Sequence, residues 1–261
     1  SAHRFDEAAL QRYLQAHVEG CRGPLTVLQF EGGQSNPTYL LEAGPRRYVL
    51  RRKPPGHLLP SAHQVDREYR VLTALAATDV PVPRTYCLCE DDAVIGTAFF
   101  VMDYVEGRIF REPLLPRALP PAEVRALCAA TADVLARLHR GDPAAVGLGD
   151  YGRPGNYFER QIGRWSKIYR ASETQRIEPM ERLMDWLPRT IPPDDETTLV
   201  HGDYRLGNLI VHPSEPRVVA VLDWELSTLG HPLADLAYNC VPWHLPAERM
   251  QGFQGLDLAP L

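Results

Sequence analysis

Apolar residues recur at Leu10, Tyr13, Leu14 and Val18, a helical stripe over residues 5–18 that Gly20 and Gly23-Pro24 bring to an end. The period then shortens. Residues 25–30, 38–43 and 47–52 carry strand patterns, the last two joined by the turn pair Gly44-Pro45. Pro54-Pro55-Gly56 breaks the pattern, and Ser61-x-x-Gln64 reads as a capping box opening a helix to about residue 77. The apolar face of that helix is Val65, Tyr69, Leu72 and Leu75, and Glu68 falls on it. Residues 81–89 and 97–105 read as two further strands, which Glu106-Gly107 stops. From Pro121 the chain turns helical, with Val124, Leu127, Cys128, Thr131, Leu135 and Leu138 forming one long stripe. It ends at His139, which is placed to favour the helix C-terminal carbonyls. Ile162, Trp165 and Tyr169 mark a second helix, and Met180, Leu183, Met184 and Leu187 a third. The pattern predicts an α+β protein, with a five-stranded sheet in residues 1–105 and a mainly helical part in 106–261.

The helical part is interrupted by HGDYRLGNLIVHPSEPRVVAVLDWELSTLGHPLAD, residues 201–235. Residues 209–211 and 218–222 are apolar, β-branched runs around His212-Pro213-Ser214-Glu215-Pro216, a hairpin pattern. A hairpin returns the chain to its start, so Asp223 is predicted to lie near Asn208. Asp203, Asn208 and Asp223 then match a phosphoryl-transfer loop, in which one carboxylate accepts the proton of the acceptor hydroxyl. The other two groups offer oxygens to Mg²⁺, a hard ion. Singly, each residue also fits a turn or a strand end. His201, Gly202, Asp203, Asn208 and Asp223 at fixed offsets arise by chance on the order of 10⁻⁴ times in such a chain, which favours the catalytic reading.

HGDYRLGN followed by LDWE and GHPLADLA resembles the aminoglycoside phosphotransferase and choline kinase branch of the protein-kinase-like fold. QSNPTYLLEAG, YVLRRKPPGHLLPSAHQVDREYRVL and VIGTAFFVMDYVEGRIF bring the resemblance closer to one subfamily. That subfamily is the kinase domain associated with acyl-CoA dehydrogenase family members ten and eleven, and its free-standing bacterial counterparts. The resemblance covers nearly the whole chain. It implies a two-lobed fold, ATP and Mg²⁺ as cofactors, Asp203 as the catalytic base, and Asn208 and Asp223 as metal ligands. It also implies that Asp235 is a structural aspartate holding the catalytic loop, and that the acceptor is a hydroxylated acyl chain such as a 4-hydroxyacyl-CoA. A functional link to an acyl-CoA dehydrogenase follows. Related kinases continue with several more helices, so the wall of the acceptor site is expected to be incomplete at Leu261.

Other positions extend the site. Gly32, Gly33, Gln34, Ser35 and Asn36 lie between two strands, where glycines let backbone N–H groups approach phosphate oxygens. An ordinary hairpin loop has the same composition. In the third strand, period-2 alternation puts Val49, Arg51 and Lys53 on one face. Arg51 is the expected phosphate partner in place of the usual lysine, with Lys53 as the alternate. An acidic side chain on a buried stripe needs a cation, so Glu68 is predicted to pair with Arg51. Met102, Asp103, Tyr104 and Val105 form the expected interlobe hinge, whose backbone would meet adenine. Glu225 is either a further metal neighbour or simply exposed. Arg160, Arg164 and Lys167 line one side of the second long helix, as a solvated face or as a stripe that meets a phosphate-rich acceptor such as coenzyme A.

Composition narrows the partners. A formal net charge of −5 argues against nucleic acid. No apolar run reaches the length of a membrane span, and the N-terminal stretch is amphipathic. Five cysteines, an odd number, read as reduced thiols of a cytoplasmic protein. Two other functions fit parts of the pattern. One is a nucleotide-binding pseudokinase or regulatory module, if Arg51 cannot replace lysine. The other is a metal-dependent hydrolase with His201, Asp203, His212 and Asp223 as ligands.

Overall fold

The computed structural model describes residues 5–30, 36–54, 64–110, 119–246 and 252–255. Helix α1 (Glu7–His17) is opened by Asp6, whose carboxylate accepts from the Ala9 N–H at 2.9 Å, and it buries Leu10 and Leu14. A five-stranded antiparallel sheet follows, formed by β1 (Leu25–Gln29), β2 (Thr38–Ala43), β3 (Arg46–Arg52), β4 (Thr85–Cys89) and β5 (Phe99–Asp103) in the order β1-β2-β3-β5-β4. Helix α2 (Val65–Leu75) packs on its other face.

The sheet is sandwiched, so β3 is apolar on both sides. Tyr48 and Leu50 join Leu10, Leu14, Tyr39 and Phe99 under α1, whereas Val49 joins Leu72, Phe100 and Met102 under α2. The alternation carries the two arginines in opposite directions. Arg52 stacks over the Phe5 ring at 5.2 Å on the α1 side, and Arg51 goes to the α2 side, as its pairing with the α2 residue Glu68 requires.

The helical part contains α4 (Pro121–Arg140), α5 (Tyr157–Ser172), α6 (Glu178–Trp186) and α7 (Leu233–Cys240). Between them lie β6 (Thr198–Val200), β7 (Leu209–Val211), β8 (Val218–Val221) and β9 (Thr228–Gly230), paired β6 with β9 and β7 with β8. One core runs from the sheet into this part, joining Phe100 and Met102 to Tyr151, Leu199, Tyr204, Val221 and Trp224. At the crossing, Arg108 exchanges both backbone hydrogen bonds with Val211, at 2.7 and 2.8 Å. Gly107 is required there, because a Cβ would sit 2.4 Å from the Val211 carbonyl oxygen. Among the described residues no helix is long and apolar enough to cross a membrane. All five cysteines are free thiols.

Several expectations need correction. Gln64 occupies the N-cap position of α2 without a side-chain cap bond, so it is not the third residue of a capping box, and Ser61 lies outside the described residues. The strand expected from residue 81 begins at Thr85, and the one expected over 97–105 is confined to Phe99–Asp103. Between them is an unforeseen short helix, α3 (Asp92–Ile95), capped by the Asp91 carboxylate and ended by Gly96 at φ 87°. Cys128 is exposed, because the inward face of α4 passes through Val134 instead.

Candidate active site

The catalytic loop is built on a buried carboxylate. Asp235, in the first turn of α7, accepts from the His201 N–H (2.8 Å), the Gly202 N–H (2.8 Å) and His139 Nε2 (2.9 Å). His139 therefore does not serve its own helix end; its ring crosses from α4 to Asp235, a contact 96 residues apart. Gly202, at φ 86°, turns the chain sharply here, and a Cβ on it would come within 2.7 Å of the Leu226 carbonyl oxygen.

His201 is fully buried. Its Nε2 donates to the Leu222 carbonyl (2.9 Å) and its Nδ1 accepts from the Asp203 N–H (3.1 Å), which fixes one neutral tautomer. Burial holds its pKa below the ordinary histidine value, against the opposing charge of Asp235. The imidazole thus ties the loop to the end of β8. It is a strut, with both nitrogens committed.

Asp203 projects from this loop. Asn208 Nδ2 donates to the Asp203 carboxylate (2.7 Å) and to its carbonyl (2.9 Å), so the Asn208 side-chain oxygen points away, without a hydrogen bond among the described residues. The Leu222 N–H donates to the Asn208 carbonyl at 2.8 Å, and Asp223 follows directly. The hairpin thus brings Asp223 beside Asn208, as its pattern predicts. Asp223 has φ 66° and ψ 61°, a left-handed conformation that starts the turn into Trp224.

From the sheet side, Arg51 meets three carboxylates. Its Nε is 3.1 Å from Glu68 Oε2, and its Nη2 is 2.8 Å from Asp223 Oδ1 and 3.8 Å from Glu225 Oε2. The expected Arg51–Glu68 pair is present. Lys53, the alternate, lies 3.9 Å from Asp66 instead. Burial pushes the Glu68 carboxyl up to about 7, with Arg51 opposing and the charges of Asp223 and Glu225 adding. The pKa of Arg51 is raised as well: burial works against its charge, but Glu68, Asp223 and Glu225 together outweigh it and hold the guanidinium charged. Desolvation of Glu68 outweighs its single cation, while Arg51 has three anions to offset its burial.

Asn36 is buried and donates from Nδ2 to Glu225 Oε2 at 3.2 Å, so the end of the glycine-rich stretch reaches the turn that follows Asp223. Gly32, Gly33, Gln34 and Ser35 lie outside the described residues. Met102 and Asp103 belong to β5, opposite Val49 and Tyr48, and the Asp103 carboxylate accepts from the Tyr86 hydroxyl. Tyr104 and Val105 continue as coil, with the Arg47 guanidinium 4.2 Å over the Tyr104 ring.

Three neighbours escaped the reading of the sequence. Arg205 Nε lies 3.2 Å from both carboxylate oxygens of Asp203. Burial and a hydrogen bond to Asp203 push the Tyr238 hydroxyl up to about 12. Trp224 is fully buried and donates from Nε1 to the Val221 carbonyl at 3.0 Å. Arg205 was visible as a cation two residues after Asp203; Tyr238 and Trp224 depend on tertiary packing.

The hydrolase alternative is not supported by this geometry. Both nitrogens of His201 are engaged, His212 stands on the far turn of the hairpin near Glu215 at 3.7 Å, and no group of three or more His, Cys, Asp or Glu side chains stands ready to hold an ion among the described residues. A Mg²⁺ ion bridging phosphates needs fewer protein ligands. The free oxygen of Asn208 beside the carboxylate of Asp223 is a donor set that fits it.

A five-stranded sheet over a helical part, with these side chains between them, is the architecture of the two-lobed protein-kinase-like fold. Residues 26–256 match the profile of the Phosphotransferase enzyme family, and the chain belongs to that family. It is 48% identical over 256 residues to mouse acyl-CoA dehydrogenase family member 10, spanning 97% of this chain and 24% of that protein. Human acyl-CoA dehydrogenase family member 11 is 48% identical over 241 residues, 90% of this chain and 31% of that one. The chain therefore spans about a quarter to a third of the curated relatives it matches. Among solved structures, a Ralstonia eutropha protein provisionally described as an aminoglycoside phosphotransferase superposes with a TM-score of 0.89 at 52% identity, over 98% of this chain and 76% of that one. Aminoglycoside phosphotransferase APH(4)-Ia in complex with ADP and hygromycin B shares the fold at 17% identity and a TM-score of 0.63, over 90% of this chain and 77% of that one.

Proposed function

We propose that the chain transfers the γ-phosphoryl group of ATP to the hydroxyl of a small molecule, with Asp203 as the base. The observation that carries this reading is the linkage of both lobes through one set of side chains. Glu68 meets Arg51, Arg51 meets Asp223, and the hairpin seats Asp223 beside Asn208, which orients Asp203. Asp203 would align the acceptor hydroxyl and take its proton. Arg51, held by Glu68, would position the phosphates, and the stretch Gly32 to Asn36 would cover them. Tyr104 and Val105, beyond the end of β5, offer backbone groups to the adenine, with Met102 and Asp103 forming the strand end behind them. Mg²⁺, held by Asn208 and Asp223, would supply charge neutralisation on the phosphates.

For the acceptor we infer a hydroxyacyl chain, such as a 4-hydroxyacyl-CoA. The support is the near-50% identity to segments of proteins named as acyl-CoA dehydrogenase family members. A phosphate ester on such a chain is a leaving group that a lipid-degrading enzyme can use.

Calorimetric titration of Mg-ATP into the chain and its Asp223→Asn variant tests the nucleotide site. Magnesium-dependent binding that the variant loses is the expected result, and equal binding by both removes Asp223 from the site. Incubation with ATP and a 4-hydroxyacyl-CoA then tests the acceptor. Nucleotide binding without turnover on any hydroxylated acid would leave a regulatory nucleotide-binding module.

A further inference from the structure

Helices α5 and α6 place no residue fully in the core. Along α5 runs a groove of about 570 Å³, lined by Glu159, Arg160, Gly163, Arg164, Lys167 and Ile168. Its middle is open at Gly163, where an added Cβ would find no neighbour within 4 Å. The groove carries Arg160, Arg164 and Lys167 against the single carboxylate of Glu159, in a chain whose formal charge is −5.

The partners of these cations set the groove apart from an ordinary solvated face. Arg170, further along the same helix, is paired with Glu173 and Glu181. Arg164 and Lys167 make no ion pair or hydrogen bond among the described residues. Arg160 Nη2 donates to the Arg153 carbonyl at 2.6 Å, and its buried Nη1 has no partner among the described residues. A buried guanidinium N–H without an acceptor is costly, and a bound anion removes that cost. At the rim, Trp165 and Ile168 are exposed, and the Arg164 guanidinium lies 5.9 Å over the Trp165 ring. An exposed indole beside clustered cations suits a phosphorylated nucleotide, since the ring stacks on the base and the cations take the phosphates.

The groove begins beside the catalytic loop's anchor. In the first turn of α5 the Phe158 ring lies 4.9 Å from that of His231, and His231 Nδ1 accepts from the Leu233 N–H at 3.2 Å. Leu233 and Leu236 are exposed on α7 to either side of Asp235. At the helical rise, Lys167 stands about 14 Å along α5 from Phe158.

We propose that the α5 groove binds the 3′-phosphorylated ADP end of coenzyme A. The adenine stacks on Trp165, the phosphates lie on Arg160, Arg164 and Lys167, and the acyl arm runs over Leu233 and Leu236 towards Asp203. The inference rests on the acyl-CoA acceptor proposed above and adds the place where its carrier is held. No bond is made or broken in the groove.

Coenzyme A is titrated calorimetrically into the wild-type chain and into Arg164→Gln/Lys167→Gln, with the nucleotide site filled by Mg²⁺ and a non-hydrolysable ATP analogue. The wild type is expected to bind, and the double variant to bind more weakly by about tenfold or more, while their affinities for the ATP analogue agree within about twofold. Dephospho-coenzyme A should bind the wild type less tightly than coenzyme A, and Trp165→Ala should weaken both. Equal coenzyme A affinity in wild type and double variant overturns the proposal, as does coenzyme A binding that the ATP analogue abolishes. Wild-type protein that ignores coenzyme A but binds phosphatidylserine vesicles gives the groove to a lipid surface and also overturns it. Coenzyme A binding that needs Arg164 and Lys167, in a protein that does not bind the ATP analogue, would support the groove and remove the proposed ATP site instead.

Discussion

Replacing Asp235 by Asn leaves the shape of the catalytic loop's anchor and changes only its hydrogen-bonding logic. In the wild type Oδ2 accepts from His201 N and His139 Nε2, while Oδ1 accepts from Gly202 N, all at 2.8–2.9 Å and out of contact with water. An Asn carbonyl can take over the shared pair, but its NH₂ must then face the Gly202 N–H, donor against donor. A buried donor left without a partner costs about 1–3 kcal/mol. The two bonds that remain lose their charge assistance, about half their strength. Together these put the loss near 2–4 kcal/mol. Urea unfolding at pH 7 measures it as a lower midpoint at unchanged slope. Asp203→Asn is the control, because the Asp203 side chain is not a buried anchor, and it should unfold within about 1 kcal/mol of wild type while abolishing turnover. If Asp235→Asn unfolded as late as Asp203→Asn, the anchor would carry no energy and the account of the loop would be wrong.

Arg51→Met strands the Glu68 carboxyl in the core and should cost about 3–5 kcal/mol by denaturant unfolding; Arg51→Met/Glu68→Met should recover much of this, and additive losses would show that the pair is not coupled. His201, buried and neutral, gives a pH effect of definite sign. Its folded pKa lies below the ordinary value, so the unfolded chain takes up the proton first as pH falls through about 6.5, and stability present above that point is lost below it, by up to about 1.4 kcal/mol per pH unit. Urea midpoints at pH 7.5, 6.5 and 5.5 should fall more steeply for wild type than for His201→Gln, and parallel curves would contradict the assignment.

What the sequence made readable is what depends on local period and spacing. Alternation in β3 put Val49 and Arg51 on one face, and the helical stripe put Glu68 towards it, so a long-range ion pair followed from two local patterns. The hairpin runs around His212-Pro213 brought Asp223 back to Asn208 in the same way. The contact of His139 with Asp235 had no such signal, since both residues fit their own helices and only the packing of α4 against β6 brings them together. Strand β9 was missed because Thr228–Gly230 holds a single large apolar residue and pairs with β6, some thirty residues earlier, so neither an apolar run nor a hairpin turn marks it. Helix α3 carries local signals, since Asp91 caps it and Gly96 closes it, but four residues are too few to show a helical period.

The left-handed backbone at Asp223 limits which side chains this position can hold. Most L-residues pay about 1–2 kcal/mol to adopt such a conformation, and Asn and Asp tolerate it best. Glycine would fit the turn but offer no oxygen, and glutamate would offer oxygens on a backbone that resists the turn. Two residues meet both demands, Asp and Asn, and they differ by one charge. An alanine substitution here would mix a misfolded turn with a missing carboxylate, whereas Asn isolates the charge. Backbone geometry therefore makes this the position where a change in magnesium response can be assigned to electrostatics alone.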